Sequence, residues 1–553
     1  MNRKATIPDR ARSGGLMIFA PSGWGKSRLL GRRICYQDTM RGTGQVVIDR
    51  VGGTIDNLLD KVLYLPRDKQ LEVGSRLIYC NMAGQSGYVT LWPMLQRRHQ
   101  EESLYQTSER VVKLLSQIDE NFANATIQGL TRSAPLLRSV CQVLTAHALP
   151  ITMADPILVS PKAHVDLMHL AAERNPEARE AAADLQAFAS VTPRERDIRS
   201  EPLRNRLSVL KHDLQTRAMF GTPRPPVISW EEVVQKGQTV LIDLRHEVSD
   251  FALNVKLFWV WNSILEYIQS RGAAGHSLPP LSVVIDELSF FTQGTNLNTK
   301  EIVKDFREIV FARKRNANIW LTCATQEMRE LPQELQTACL SMGSLMFGAT
   351  IDEETALMLS RRFDAIDPYK LKDSRTIWGF RPEGNSIDPN APRTYGITGE
   401  QRIFFNFDEQ RVMNSEKYLN LPKEDWFFAR ARYEGHVPRT LTRITTRNLD
   451  PGQFINHTFG EEDLLEKLKT RLMTRNGAKV EDVIQELEDP SKKQDPPSDS
   501  EQIGGSTPTD SQKRPKSKLG RKWEKITNAF RSLIDKLFHS RKNSSVRRLY
   551  IFF

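Results

Sequence analysis

A glycine-rich segment near the N-terminus constrains the fold more than any other feature of this 553-residue chain. Residues 20–27 read APSGWGKS, which matches Ala or Gly, four residues, and then Gly-Lys-Ser/Thr. The apolar residues before it predict a buried strand, and the residues after it predict a helix. A strand, a glycine loop and a helix in this order can enclose a phosphate with backbone N–H groups. The sequence therefore predicts an α/β unit built around a phosphate-binding loop.

Each residue of this loop is a candidate for nucleotide binding. Lys26 can neutralise the β- and γ-phosphate oxygens of ATP, and the Ser27 hydroxyl can coordinate Mg²⁺. Trp24 is an unusual occupant, and we expect its side chain to point away from the phosphates, towards the nucleotide or a neighbouring subunit. The alternative is a glycine-rich turn with an exposed lysine. The candidates are Ala20, Pro21, Ser22, Gly23, Trp24, Gly25, Lys26 and Ser27.

Short apolar runs separated by helical patterns predict a mostly parallel sheet. They are 16–20, 46–49, 77–80, 239–244, 282–286, 319–324 and 345–347. From about residue 100 to 225 the strand pattern gives way to helix formers with 3.6-residue spacing. The predicted fold class is thus α/β, a RecA-like P-loop NTPase with an inserted all-α domain.

The order of these patterns predicts five segments. The ATPase domain is predicted in two parts, 1–100 and 226–448, with the helical domain at 101–225 between them. Residues 449–512 are predicted to be a charged helix, at about 461–487, followed by a disordered linker rich in Pro, Ser and Gly. Residues 513–553 form a basic tail whose apolar residues fall on one face of an amphipathic helix.

A second candidate site element is the acidic end of the run 281–285. Asp286 is predicted to hold Mg²⁺, and Glu287 is predicted to orient and deprotonate the attacking water. A pair of acidic residues after a strand is also common in surface turns. The next strand ends in Gln326, which either senses the γ-phosphate and attacking water or closes a buried strand as a polar residue.

Basic residues lie just before that last strand. Arg313, Lys314 and Arg315 follow a helical pattern, and Arg313 or Arg315 is a candidate arginine finger that reaches a neighbouring active site. The alternative is that these cations complement the dipole at the end of their own helix.

The charge of the chain is concentrated at its C-terminus. The net charge is +11, but residues 511–553 contain 13 Lys and Arg against two Asp and Glu, which leaves 65 of each sign in residues 1–510. The basic tail could contact an anionic membrane, an acidic partner or nucleic acid. Five scattered cysteines without metal-ligand spacing indicate reduced, mostly buried thiols. No apolar run is long enough to predict a membrane span.

Several segments resemble one family of ATPases. Besides the two nucleotide motifs, QVVIDRVGGTIDNLLDKV at 45–62 is similar to the family's second strand with its Asp49-x-x-Gly52 turn. ARKRNANIWLTCATQ at 312–326 resembles its basic helix and glutamine strand, and WFFARARYEGHVPRT at 426–440 resembles its closing strands. Over about residues 14–447 the chain resembles the HerA/FtsK superfamily, most closely the TraG/TraD-like coupling ATPases of conjugative type IV secretion.

The resemblance implies a homo-oligomeric ring, a hexamer, that binds ATP between subunits and threads DNA through its centre. Relaxase or secretion-channel proteins would be its partners, and the cytoplasm its location, peripheral to the inner face of the cell membrane. Two features depart from the family: Arg50 and Val51 replace the usual Pro-Lys, and only about fifteen residues precede the first strand, where the family usually has membrane helices. The chain is expected to be a soluble variant or to use a separate membrane subunit.

Three functions remain open at this stage. The first is ATP-driven translocation of conjugative or mobile-element DNA, which the motifs and the resemblance favour. The second is a secretion or assembly ATPase that moves protein, which the neutral charge of residues 1–510 allows. The third is a nucleotide-binding recruitment scaffold with low turnover.

Overall fold

The fold was obtained as a computed structural model. It describes residues 7, 9–83, 87–98, 101–120, 133–222, 224–245, 247, 249–272, 278–294, 297–311, 316–382, 390, 392–429, 441–446 and 459–488. The predicted tail at 513–553, the predicted linker beyond 488 and the candidate fingers Arg313 and Arg315 lie outside these residues.

A nine-stranded sheet forms the centre of the molecule. The bounds of its strands are β1 Leu16–Phe19, β2 Gly44–Asp49, β3 Leu77–Asn81, β5 Thr239–Asp243, β6 Leu281–Ile285, β7 Ile319–Thr325, β8 Ser344–Phe347, β11 Asp425–Ala429 and β12 Leu441–Thr445. In spatial order they are β12, β11, β8, β1, β7, β6, β2, β5 and β3. Seven strands are parallel, and the last two in sequence are antiparallel additions at one edge.

Strands β1, β2 and β5 to β8 are buried along their whole length, as is usual for parallel strands covered on both faces. This burial explains why they read as continuous apolar runs, and all seven predicted strands are present. The helices around the sheet are α1 Asp9–Arg12, α2 Lys26–Leu29, α3 Tyr36–Arg41, α4 Gly53–Leu63 and α5 Arg67–Arg76. Single π-helical turns lie at Leu30–Cys35 and Phe306–Phe311.

An all-α segment separates β3 from β5, as predicted, apart from a two-residue strand, β4 Tyr88–Val89. Its first helix begins with a capping box, in which Ser103 and Gln106 each accept a hydrogen bond from the other's backbone N–H. The helices are α6 Leu104–Ile118, α7 Ser133–Ala146, α8 Ala154–Val159, α9 Val165–Arg174, α10 Arg179–Ser190, α11 Pro193–Leu207, α12 Val209–His212 and α13 Leu214–Gly221. Short 3₁₀ turns lie at Ile151–Met153, Pro161–His164 and Pro176–Ala178.

A long helix joins the helical segment to the sheet. It spans Asp250–Arg271 and is buried on most sides, because it packs against α6 and also against the π-turn before β7. The apolar run at 251–268 is interrupted by polar residues, which predicts an amphipathic core helix, and the structure fully buries one of those polar residues, Lys256. The helices of this part are α14 Trp230–Gln235, α15 Asp250–Arg271, α16 Thr299–Asp305, α17 Gln333–Leu340, α18 Glu353–Phe363 and α19 Phe407–Leu419, with 3₁₀ turns at Leu288–Phe291 and Met328–Glu330.

The C-terminal helical segment differs from the expected single helix. It forms two helices, α20 Phe459–Asn476 and α21 Val480–Glu488, separated by a short strand, β13 Ala478–Lys479, that pairs with β4. Helix α20 packs on β3 and α4, and α21 packs on α13. This segment is therefore docked on both the sheet and the helical insertion.

A long antiparallel ribbon was not predicted. Strands β9 Leu371–Pro382 and β10 Arg393–Phe404 pair with each other and with no other strand of the described residues. Helices α18 and α19 flank the ribbon in sequence and pack against each other. All five cysteines are buried thiols outside any disulfide, as predicted. Within the described residues, no helix is long and apolar enough to span a membrane.

Candidate active site

The glycine loop leaves the carboxyl end of β1, in the interior of the sheet. Strand β1 lies between β7 and β8, and β6 follows β7, so one strand separates the loop from Asp286. Gly23 and Gly25 have positive φ angles of 74° and 93°. Only glycine adopts such angles without strain, which explains these two residues. The helix Lys26–Leu29 begins directly after them and directs its first N–H groups into the loop.

Lys26 lies inside this loop with only 9% of its surface exposed. Its Nζ donates hydrogen bonds to the carbonyl oxygens of Ala20, at 2.6 Å, and Pro21, at 3.3 Å. Burial lowers the pKa of Lys26, while the negative charges of Glu287 and Asp286 act in the opposite direction. A cation held by weak acceptors beside carboxylates is well placed to move to a phosphate.

The loop and the acidic strand end meet directly. The Ser27 hydroxyl donates to Asp286 Oδ2 at 3.0 Å, although 259 positions separate the two residues in sequence. Thr54 Oγ1 donates to the same carboxylate oxygen at 2.9 Å and lies 3.4 Å from the Ser27 carbonyl oxygen. Burial raises the pKa of Asp286, and the two hydroxyl groups oppose that rise.

Thr54 is held in place by the turn after β2. The Asp49 carboxylate accepts hydrogen bonds from the backbone N–H groups of Val51, Gly52, Thr54 and Ile55 at 2.6 to 3.0 Å. Gly52 has a φ of 85°, and a Cβ at this position would collide with the Arg245 guanidinium. The Asp-x-x-Gly pattern is thus a turn that positions the start of α4. Burial and the charge of Asp286 raise the pKa of Asp49 to about 7.

Glu287 lies beside Asp286 and is fixed by neighbours. Its Oε1 accepts hydrogen bonds from Thr325 Oγ1 at 2.8 Å, from Ser289 Oγ at 2.9 Å and from the Gln326 backbone N–H at 3.3 Å. The Gln326 side chain is exposed. Glu287 and Gln326 therefore lie at the same end of the adjacent strands β6 and β7. At this position they would contact the γ-phosphate of a bound nucleotide.

Trp24 has a packing role that its position in the loop did not suggest. Its indole Nε1 donates to the Asp425 carbonyl oxygen at 3.0 Å, and its ring covers Gly348, where a Cβ would lie 2.5 Å from Nε1. The side chain thus points towards β8 and β11, the antiparallel edge of the same subunit. Ser22 and Gly23 are exposed at the tip of the loop.

Three polar residues of the site were missed by sequence reasoning. Thr54 and Thr325 contact the two carboxylates, and Glu330 is close enough for its charge to act on Lys26. Burial and the charge of Glu287 raise the pKa of Glu330. The Asp-x-x-Gly turn could have indicated Thr54, because a turn at the carboxyl end of β2 faces the same edge as Asp286. No signal in the sequence indicates Glu330.

The oxygen atoms gathered here suit a hydrated Mg²⁺ and a triphosphate. Mg²⁺ is bound through one or two protein oxygens together with water and phosphate oxygens. Ser27 Oγ and Asp286 Oδ2 provide two such oxygens within 3.0 Å of each other. In the part of the chain that the structure describes, no cluster of three His, Cys, Asp or Glu residues could hold a metal alone. The site therefore fits a metal that arrives with its nucleotide.

Comparisons with known proteins give similar solved structures. No family model matches the chain, and no curated protein matches it. The bacterial conjugative coupling protein TrwBdeltaN70, in its unbound monoclinic form, has 17% sequence identity and a TM-score of 0.48, over 79% of this chain and 86% of that chain. Its trigonal form in complex with sulphate also has 17% identity and a TM-score of 0.48, over 80% and 89%.

VirB4 of Thermoanaerobacter pseudethanolicus has 14% identity and a TM-score of 0.34, over 73% of this chain and 93% of that chain. The solved structures similar to this chain thus include a conjugative coupling protein and a VirB4 protein.

Proposed function

We propose that this chain is an ATP-hydrolysing motor that translocates DNA in a conjugative, type IV secretion or mobile-element transfer system. The observation that carries the ATPase part is the 3.0 Å contact between Ser27 and Asp286, with Lys26 held in the same loop. The DNA part is supported by the motif resemblance of residues 14–447 to coupling ATPases. A homo-oligomeric ring with relaxase or channel partners belongs to the same proposal.

The residues divide the proposed reaction between them. Bound Mg·ATP would supply the phosphoanhydride bond that is cleaved. Lys26 would exchange its carbonyl acceptors for phosphate oxygens and neutralise charge that develops there. Ser27 and Asp286 would hold the metal. Glu287, fixed by Thr325 and Ser289, would orient the attacking water and accept its proton, while Gln326 would contact the γ-phosphate or that water.

Two variants test the ATPase. Glu287→Gln keeps the size of the side chain but removes the base, and we expect turnover to fall by about 100-fold or more while ATP binding persists. Lys26→Ala should weaken ATP binding itself. A loss below about twofold in Glu287→Gln would favour the scaffold with low turnover.

A separate assay tests the cargo. We expect single- or double-stranded DNA to stimulate turnover at low salt, where phosphate contacts are strongest, and the stimulation to fall as salt rises. If DNA leaves turnover unchanged at low salt, the DNA part of the proposal fails while the ATPase part stands.

A protein cargo is the second candidate, and one observation favours it. Residues 1–510 carry equal numbers of acidic and basic residues, whereas a channel for DNA needs an excess of cations somewhere along its wall. Crosslinking during turnover that captures unfolded polypeptide and no DNA would support this alternative.

A further inference from the structure

The ribbon formed by β9 and β10 exposes an unusual amount of apolar surface. Eleven of the twenty large hydrophobic side chains exposed in the described part of the chain lie between residues 369 and 413. They are Tyr369, Leu371, Ile377, Trp378, Phe380, Tyr395, Ile397, Phe404, Phe407, Val412 and Met413. They lie on both faces of the ribbon and on the helix that follows it, and together they expose on the order of 1,000 Å² of side-chain surface.

Four of these side chains form one cluster on one face of the ribbon. The register pairs Trp378 with Ile397 and Phe380 with Tyr395, so the four share a face. The rings of Trp378 and Tyr395 are stacked, with centroids 6.1 Å apart, and Phe380 meets Tyr395 edge-on at 5.3 Å. All four remain 52 to 67% exposed. The cluster is a continuous apolar surface that nothing in the described part of the chain covers.

The ribbon lies away from the active site. Helix Glu353–Phe363 begins just after β8, beside the glycine loop, and runs back to the amino ends of the parallel strands. There Arg362 donates to the carbonyl oxygen of Leu340, which precedes β8. Helix Phe407–Leu419 returns to the loop side, where the Thr350 N–H donates to the Tyr418 carbonyl oxygen at 3.0 Å. The ribbon starts at the amino ends of the sheet strands, and its twelve-residue strands β9 and β10 are each about 40 Å long.

The chemistry of the ribbon argues against nucleic acid or lipid as its partner. Three of its basic side chains form ion pairs within the chain: Lys372 with Glu409, Arg375 with Asp373 and Arg402 with Glu400. The aromatic rings stack on each other and do not stand apart as platforms for bases. The exposed apolar residues are spread along the whole ribbon, over about 40 Å. An element that lies in a membrane interface enters it to a depth of only about 5–10 Å.

A two-stranded ribbon with two open edges is marginally stable alone, and an uncovered apolar surface of this size promotes aggregation. It therefore needs a partner that is present whenever the chain is made. A second copy of the chain meets that need at equal concentration. The ribbon as a whole exposes apolar area of the same order as the roughly 800 Å² that each partner buries in a stable interface.

We propose that the ribbon is an assembly arm that packs onto a neighbouring copy of this chain, with Trp378, Phe380, Tyr395 and Ile397 buried at the contact. This inference rests on the ring assembly of the proposed function and assigns the surface that holds the ring together. Because the arm starts at the amino ends of the strands, opposite the glycine loop, it lies away from the proposed nucleotide site of its own subunit.

The test compares the full-length chain with two variants by light scattering after size-exclusion chromatography, over a range of concentrations. The arm variant carries Trp378→Ser, Phe380→Ser and Tyr395→Ser. The control carries Ile198→Ser and Leu214→Ser, two apolar residues exposed on the helical segment. We expect the wild type and the control to form oligomers of the 63.2 kDa chain. The arm variant should dissociate at concentrations at least about tenfold higher, as expected when buried interface aromatics are truncated.

A photoreactive amino acid at position 380 of the otherwise unchanged chain gives a second measurement that does not depend on how the arm variant folds. A crosslinked product of two chains supports the inference. An unchanged oligomer in the arm variant, or crosslinks only to added single-stranded DNA or anionic vesicles, overturns it. ATP hydrolysis is measured on the same samples. If the oligomer depends on the ribbon but no ATP is hydrolysed, the assembly arm is supported and the motor function is rejected. If ATP is hydrolysed but the oligomer does not depend on the ribbon, the motor function stands and the assembly arm is rejected.

Discussion

Thr54 connects the two halves of the proposed nucleotide site through one hydroxyl group. It donates to Asp286 Oδ2 at 2.9 Å beside Ser27, and a hydrogen bond to a charged group contributes about 1.5–3 kcal/mol. We expect Thr54→Val to raise the Mg²⁺ concentration for half-maximal ATPase activity about tenfold or more, because Asp286 loses a fixed partner. The measurement is a Mg²⁺ titration of turnover.

Thr54→Ser is the matched control, since it keeps the hydroxyl and should stay within about threefold of the wild type on the same hydrogen-bond argument. Equal Mg²⁺ requirements in the valine and wild-type proteins would show that the contact has no role in metal binding.

Asp49 makes the stability of the chain depend on pH. Its pKa is raised to about 7, above its ordinary value, by burial and by the charge of Asp286. A carboxyl group of this kind favours the folded state most below its unfolded pKa near 3.8, and the advantage is lost as pH rises through about 7. We therefore expect the stability of the wild type relative to Asp49→Asn to fall between pH 4 and 8.

Urea denaturation at several pH values, with a chelator present, measures this difference. A gap that is constant or that widens with pH would contradict the raised pKa of Asp49.

The residues of the site differ in how far the sequence could predict them. Lys26, Ser27, Asp286 and Glu287 follow from local patterns, because the glycine loop and the acidic strand end each carry their chemistry within a few positions. Thr54 and Glu330 could not be predicted in the same way. The Asp-x-x-Gly turn places Thr54 at the carboxyl end of β2, but its contact with Asp286 depends on the order of strands in the sheet, and Glu330 has no local signal at all.

At the scale of elements, the C-terminal helix pair clamps the body of the molecule. Lys469 on α20 is nearly buried and pairs with Asp56 of α4 at 2.8 Å, on the helix that begins beside Thr54. We expect Lys469→Met to loosen α20 and α21, because the change removes the ion pair that joins α20 to Asp56, while Asp56 keeps its other partner, Arg245, within the rest of the molecule. Amide hydrogen exchange of residues 464–488 should become at least about tenfold faster, which corresponds to about 1.4 kcal/mol.

Lys479→Met, at an exposed position of β13 in the same segment, is the control and should leave exchange unchanged. Unaltered protection in Lys469→Met would mean that α20 is held by its apolar contacts alone.

The elements also differ in predictability. Buried parallel strands such as β1 and β6 are visible as apolar runs because both of their faces are covered. The ribbon of β9 and β10 has no such signal, since its side chains are exposed on both faces and are interrupted by Gly379, Gly396 and Gly399. The sequence also contains no indication that the C-terminal helices α20 and α21 pack on the rest of the molecule. Lys469 is buried and pairs with Asp56, and the partly buried Arg475 donates to the Gly74 carbonyl oxygen, whereas a charged pattern by itself indicates a solvated helix.

At the scale of the whole molecule, α15 is the element that both the sheet and the helical insertion share. Lys256 in its second turn is fully buried and donates to the Met82 carbonyl oxygen at 2.8 Å, just beyond β3. It also pairs with Glu247, and Asp213 at the start of α13 lies 3.7 Å away. This one ammonium group thus joins the carboxyl end of a sheet strand, the start of α15 and the last helix of the insertion.

We expect Lys256→Met to lower the free energy of unfolding by up to about 3–5 kcal/mol, because Glu247, whose side chain is only 12% exposed, would lose its cation. The double variant Lys256→Met, Glu247→Gln removes both charges and should recover part of that loss. Urea denaturation followed by tryptophan fluorescence and by circular dichroism measures both variants. If the double variant is no more stable than Lys256→Met, the loss of stability comes from the missing hydrogen bond to the Met82 carbonyl oxygen. In that case the cation joins the two parts of the molecule through the backbone just after β3 and not through the carboxylates.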